Sequence, residues 1–240
     1  MLILGIALLT FGTAIIGTIA GFGISTIMVP VLALGFPIPE VLLFVGIVHW
    51  LDGVWKIILF RREGLNIRLV LWFALPAAAT SVLGALLTFK VPGEILLQIV
   101  GIGLIGYVAF LFARPAFRLA RTARNEFVAG LVSGFLPGLV GVGGEIRSAF
   151  LSAFDLPKAS FIFTSGVIAL FIDTGRVATY FIGGTRLSGD FLFALMVAVP
   201  ASLAGAWLAK RIANRIPQRL FRPLIGVLLL LVSIKFILFP

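Results

Sequence analysis

Gly141-Val142-Gly143-Gly144-Glu145-Ile146-Arg147 stands in the middle of an apolar run over 125–154, and Gly21-Phe22-Gly23-Ile24-Ser25 stands in the middle of another, 2–35. A continuous membrane helix would place neither glycine clusters nor charge at its centre. Glycine releases backbone N–H and C=O groups from the helical ladder, and in hydrocarbon these are tolerated only facing protein or a water-filled cavity. Glu145 and Arg147 add two ionisable groups at about that depth, where they are costly in lipid and point to a site. A broken helix with a charged break is the pattern of a binding site in membrane transporters.

Composition sets the frame around these two breaks. Of the 240 residues 61% are hydrophobic and 12% charged, and the mean hydropathy is +1.21. A soluble domain runs nearer half apolar and a quarter charged, so the chain is an integral membrane protein. Charged residues fall in a few short segments, and no connection is long enough for a separate soluble domain. The net charge of +10 comes mostly from arginines bordering apolar runs, which reads as topology signals meeting anionic lipid rather than as nucleic-acid binding. Without cysteine there is no disulfide, thiolate metal site or thiol nucleophile. The first residues are apolar from Leu2 onward without a basic leader, so no cleaved signal peptide is expected.

Apolar segments fall at 2–35, 39–60, 66–89, 92–113, 125–154, 158–182, 188–209 and 217–239. Most are long enough for one helical crossing. The first and fifth are longer and glycine-interrupted, so each is either a hairpin leaving on the side it entered or a long kinked helix. Pro30, Pro37, Pro39, Pro137 and Pro157 bracket these breaks, as expected of discontinuous helices. The halves echo one another. Gly21, Gly23, Pro37, Gly46, Phe60 and Gly64 meet Gly141, Gly143, Pro157, Gly166, Tyr180 and Gly184 at an offset of 120, and Pro92 and Gly101 meet Pro217 and Gly226 at 125. The pattern predicts a duplicated four-segment unit, 1–120 and 121–240, within one membrane domain.

Charge orients the halves. Arg61, Arg62 and Arg68 follow segment 2, Arg114, Arg118, Arg121 and Arg124 follow segment 4, and Lys210, Arg211, Arg215, Arg219 and Arg222 follow segment 7. Lys90 and Arg186 stand in the poor connections. Eight full crossings would put the last basic group opposite the other two. If segments 1 and 5 are hairpins, all basic connections share the cytoplasmic side, both termini lie outside, and the second half is inverted relative to the first. The expected fold is an all-α polytopic membrane protein of two inverted repeats in the cell (inner) membrane, each opening with a glycine-broken helix or re-entrant hairpin.

Further ionisable groups lie inside the segments. His49, Asp52 and Lys56 share one helical face, and Asp173 and Arg176 are one turn apart. The plainer reading pairs Asp52 with Lys56 and Asp173 with Arg176 to steady helix packing. The functional reading has them line a water-filled route, with His49, Asp52 or Asp173 exchanging a proton and Lys56 and Arg176 as supporting charge. At the second break the half-helix after Gly141, Gly143 and Gly144 offers free N–H groups and partial positive charge, which with Arg147 makes an anion site. Glu145 is then either the resting partner of Arg147 or a proton carrier. At the first break, after Gly21 and Gly23, Ser25 and Thr26 supply hydroxyls that can coordinate substrate or simply pack. Trp50 and Trp55 flank the charged face of segment 2 as packing residues, interface anchors or walls of the route.

The chain resembles the sulfite exporter TauE/SafE family of membrane permeases. The resemblance covers nearly the whole length and rests on glycine-rich openings of both halves: Gly21-Phe22-Gly23 followed by Met28-Val29-Pro30, and Gly141-Val142-Gly143-Gly144. Ile24 and Ser25 stand where the family has glycines, and the second copy has Glu145 and Arg147 but no Val-Pro. The resemblance implies transport of small anions such as sulfite, sulfonates or carboxylates, often by export. The residues themselves argue for a secondary transporter coupled to protons. No P-loop pattern or soluble domain suggests nucleotide drive, and one histidine with no cysteine and no carboxylate cluster argues against an enzyme. No cofactor is expected; the partners are the anion, protons and the bilayer. A passive anion channel and a structural or assembly component are the alternatives.

Overall fold

The computed structural model describes residues 2–61, 66–113 and 118–212, with Leu230, Ser233, Ile234, Ile237 and Leu238. Among the described residues there are helices and no strands: α1 (Leu2–Ala20), α2 (Ser25–Leu32), α3 (Ile38–Phe60), α4 (Ile67–Thr88), α5 (Gly93–Ala113), α6 (Ala123–Val140), α7 (Gly144–Ala153), α8 (Lys158–Ile182) and α9 (Gly189–Ile212). Of these, α1, α3, α4, α5, α8 and α9 contain stretches long and apolar enough to cross a membrane. The first and fifth apolar runs are each cut in two at their glycines. Most of the run at 217–239, and Arg62, Gly64, Arg114, Arg215, Pro217, Arg219, Arg222 and Gly226, lie outside the described residues.

Local chemistry fixes the starts of the long helices. Pro37 and Pro157 occupy the N-cap positions of α3 and α8, where a missing N–H costs nothing. The Asn66 side chain accepts from Leu69 N at 3.0 Å to open α4, and Thr122 Oγ1 accepts from Asn125 N at 3.2 Å to open α6.

Side-chain partners give the direction of each helix. Along α3 and α8, Gly46 faces Val177, His49 faces Asp173, Gly53 faces Leu170 and Gly166 faces Lys56, so these helices run antiparallel. Along α3 and α9 the order is parallel, from Phe44 against Phe191 to Trp55 with Ser202 and Leu59 with Lys210. Helix α1 also runs parallel to α9, with Phe11 and Ala14 at Gly205 and Ile19 beside Ala209. Because α1 and α3 point the same way, the chain must turn back between them. The return leg is α2, antiparallel to α1, with Met28 near Thr10 and Gly23 near Gly17.

Helices α4, α6, α7 and α8 are arranged in a second group. Helix α4 runs parallel to α6, with Gly130, Gly134 and Gly138 seated on the carbonyls of Phe73, Ala77 and Ser81. A β-carbon at any of the three glycines would overlap a backbone oxygen. This close approach is the small-residue packing of membrane helices, which have no hydrophobic force to hold them together. Thr80 Oγ1 donates to Leu131 O at 2.9 Å and Thr88 Oγ1 to Leu139 O at 2.8 Å across the same seam. Helix α4 is likewise parallel to α8, from Ser81 with Ile172 to Phe89 with Gly183. Helices α6 and α8 therefore share a direction, and α7 is the return leg between them.

Both interrupted segments are thus hairpins, entering from opposite ends of the bundle. Each leaves at the end it entered. The ten residues of α7 measure about 15 Å, half of a hydrocarbon core about 30 Å thick. The end of the bundle where α3 and α9 finish and α4, α6 and α8 begin collects Arg61, Arg68, Arg118, Arg121, Arg124, Lys158, Lys210 and Arg211; Lys90 and Arg186 mark the other end.

Candidate functional site

The two breaks meet. Gly21 and Gly23 both take φ of +82°, a left-handed conformation that side chains other than glycine rarely adopt, and Gly23 N donates back to Gly17 O at 3.1 Å. Gly141 does the same work at the second break, with φ of +73° and its N–H donating to Pro137 O at 3.0 Å. Gly143 packs on the Pro137 ring, and Gly144 lies so close to the carbonyl of Phe22 that no β-carbon fits between them. The two hairpin tips are therefore in direct contact through backbone.

Helices α2 and α7 begin at this contact, and neither start has a side-chain cap. Leading N–H groups without a cap carry partial positive charge and receive anions. Thr26 Oγ1, in the first turn of α2, donates to Glu145 Oε2, in the first turn of α7, at 2.7 Å. Ser25 is buried at the first position of α2.

Arg147 is 1% exposed. Its Nε donates to Ser165 Oγ at 3.1 Å, and Ser165 Oγ donates to Gly21 O at 3.0 Å, so α7 is tied through α8 to the first break. Its Nη2 has no hydrogen-bond partner. Glu145 and Arg147 do not pair with each other, so of the two alternatives for Glu145 the resting ion pair is not the one formed. Residues two apart on a helix do not face each other, and each finds its partner elsewhere.

A second group of buried charges backs the tips. His49 Nδ1 lies 2.6 Å from Asp173 Oδ2, and Arg176 Nε donates to Asp173 Oδ1 at 2.8 Å. Arg176 Nη1 reaches the carbonyls of Pro137 and Gly141 at 3.3 and 3.4 Å, and Tyr180 donates its hydroxyl to Gly138 O. These donors bind carbonyls in the last turn of α6 and at its C-cap, where helical partners run out. His49 Nε2 points at Gly23 of the first break and has no partner. One turn away Lys56 Nζ donates to Asp52 Oδ2 at 2.6 Å, and Asp52 Oδ1 is without a partner.

Both one-turn pairs expected from sequence form, Asp52 with Lys56 and Asp173 with Arg176. His49 does not join Asp52 on its own helix but crosses to Asp173 of the other half. The structure brings Gly21, Gly23, Thr26, Gly141, Gly143, Gly144, Glu145 and Arg147 to one junction, with His49, Asp173 and Arg176 against it. Sequence reasoning missed Ser165 and the role of Pro137 as an acceptor. A serine in an apolar helix carries no distinguishing pattern, and Ser165 was visible only as the neighbour of repeat-related Gly166. The tryptophans act as bridges between helices: Trp50 Nε1 donates to Thr174 Oγ1 at 2.9 Å and Trp55 Nε1 to Ser202 Oγ at 3.2 Å.

This arrangement can hold a small anion between uncapped helix starts, a hydroxyl and a guanidinium nitrogen, all away from lipid. No curated protein sequence matches the chain. The family model described as Sulfite exporter TauE/SafE matches residues 6–236, which takes in both hairpins and the junction between them. The chain therefore belongs to the sulfite exporter TauE/SafE family, and is a multi-pass membrane transporter rather than an enzyme.

Proposed function

We propose that the chain is a secondary transporter that binds a small oxyanion, such as sulfite, an organosulfonate or a carboxylate, where α2 and α7 begin, and moves it together with protons. The observation that carries this reading is the pair of uncapped helix starts joined by Thr26 and Glu145, with the unpartnered Nη2 of buried Arg147 beside them. A buried guanidinium nitrogen left without an acceptor is costly. A bound oxyanion would remove that cost through bidentate contact with Arg147. Gly21, Gly23, Gly141, Gly143 and Gly144 shape the cradle, Ser25 and Thr26 supply hydroxyls, and Glu145, His49, Asp52 and Asp173 are the groups able to carry a proton.

In the same reading residues 1–120 and 121–240 form inverted repeats. The antiparallel meeting of α3 and α8 supports this, as does the exchange by which α1 packs on α9 while α6 packs on α4. Pro37 and Pro157 at equivalent caps, and Gly21 and Gly141 at equivalent breaks, support it too. Alternating access then rocks the halves about the paired tips. The basic end of the bundle is the cytoplasmic face of the cell membrane.

The test is flux in proteoliposomes loaded with sulfite, sulfoacetate, taurine and small carboxylates at two pH values. Saturable flux of an anion that responds to an imposed proton gradient supports a coupled carrier. Currents far above carrier turnover, indifferent to that gradient, would make the protein a passive anion channel.

A further inference from the structure

We propose that the Glu145 carboxylate is a built-in competitor for the transported anion: it occupies the anion's own donors when the site is empty, and must be protonated before the anion can settle. This deepens the anion-site reading above and rests on it.

Three carboxylates lie at or beside the junction, and they are not treated alike. Asp52 has Lys56, and Asp173 has both His49 and Arg176. Glu145, only 3% exposed, forms no salt bridge among the described residues. Its hydrogen bond comes from a neutral hydroxyl, Thr26, and it stands in the first turn of α7. A buried carboxylate without a cation is expensive. Here the compensation is the Thr26 hydroxyl together with the partial positive charge at the start of α7, in whose first turn Glu145 lies. Those are what the junction offers an incoming oxyanion.

Two negative groups cannot share one set of donors in a dry site. Adding a proton to Glu145 removes its charge and frees the donors, so each bound anion brings one proton with it. The other charged groups near Glu145 are accounted for in turn. Arg147 lies on its own helix, bonds Ser165 through Nε and keeps Nη2 unpartnered for the anion. Helix α2 carries no titratable residue, and α6 carries none from Phe127 to its end. On α8, Asp173 and Arg176 are paired, Tyr180 is bonded to Gly138, and Lys158 stands at the basic end. On α3, His49 is paired with Asp173 and Asp52 with Lys56. The exchange also limits the substrate to a compact head group with an O–X–O edge that can replace a carboxylate.

The experiment measures calorimetric binding of methanesulfonate and of sulfite to the purified full chain in detergent, from mildly acidic to mildly alkaline pH. Methanesulfonate keeps its single charge throughout, so any pH slope belongs to the protein. One linked proton predicts a wild-type Kd that is level where Glu145 is already protonated and rises by about tenfold per pH unit once it ionises in the empty site. Glu145→Gln should bind at least as tightly as wild type at its acidic optimum, with no slope. A flat wild-type profile across the whole range overturns the proposal without any variant having to fold, and so does a wild-type slope that persists undiminished in Glu145→Gln. Failure of wild type to bind either anion at any pH would overturn the anion site itself, a result distinct from pH-independent binding.

Discussion

His49 Nδ1 stands 2.6 Å from Asp173 Oδ2, joining the middle of α3 to α8 across the two halves of the chain. The other oxygen of Asp173 holds Arg176 at 2.8 Å, and through Arg176 the same carboxylate supports the carbonyls of the second break. One buried aspartate therefore organises a histidine aimed at the first tip and an arginine gripping the second.

Replacing Asp173 by Asn leaves Arg176 buried without its carboxylate. Breaking a buried pair by removing one partner costs about 3–5 kcal/mol. We expect Asp173→Asn to unfold at clearly lower temperature in detergent, and His49→Gln to lose less because it strands no charge. Equal melting of Asp173→Asn and wild type would remove the proposed support of the tips.

Lys56 and Asp52 offer the complementary case. Lys56→Met alone leaves Asp52, which is 0% exposed, without a cation, and the same penalty of about 3–5 kcal/mol applies. The double variant Asp52→Asn/Lys56→Met should recover most of that stability. If the pair only steadies α3, the double variant transports, with its proton dependence intact. Loss of proton dependence in a stable double variant would make Asp52 a proton carrier.

The positions of the basic residues predict sidedness. The chain has no cysteine, so single cysteines report without background. Cysteine at Arg61, Arg121 or Arg211 should be protected from an impermeant thiol reagent in intact cells and exposed in inverted vesicles. Cysteine at Lys90 or Arg186 should behave in the opposite way. Labelling of residues 121 and 211 from different sides would contradict the two-hairpin topology.

Much of this arrangement was legible in the sequence for physical reasons. Glycine pairs at Gly21 and Gly23, and at Gly141 and Gly143, mark breaks because a membrane helix tolerates little else there. The basic clusters then require two hairpins if they are to share a side. The spacing of Asp52 with Lys56 and of Asp173 with Arg176 foretold both one-turn pairs, since helical geometry alone brings them together. Contacts between the halves were not legible. The bonds from Thr26 to Glu145 and from His49 to Asp173 join residues 119 and 124 positions apart, and no local period encodes them. Of the two roles open to Glu145, pairing with Arg147 does not form, because residues two apart on a helix point different ways. Gly130, Gly134 and Gly138 sit at helical spacing, but only the packing of α6 on α4 shows what that stripe touches.

The central claim, that the paired tips hold an anion through Arg147, is tested most directly by anion flux through Arg147→Ala in proteoliposomes, alongside wild type and Arg147→Lys. Equal amounts of folded protein must be confirmed in each membrane. The account predicts that Arg147→Ala carries no saturable flux and that Arg147→Lys retains a small part, having charge but no fork. Wild-type transport by Arg147→Ala would contradict it.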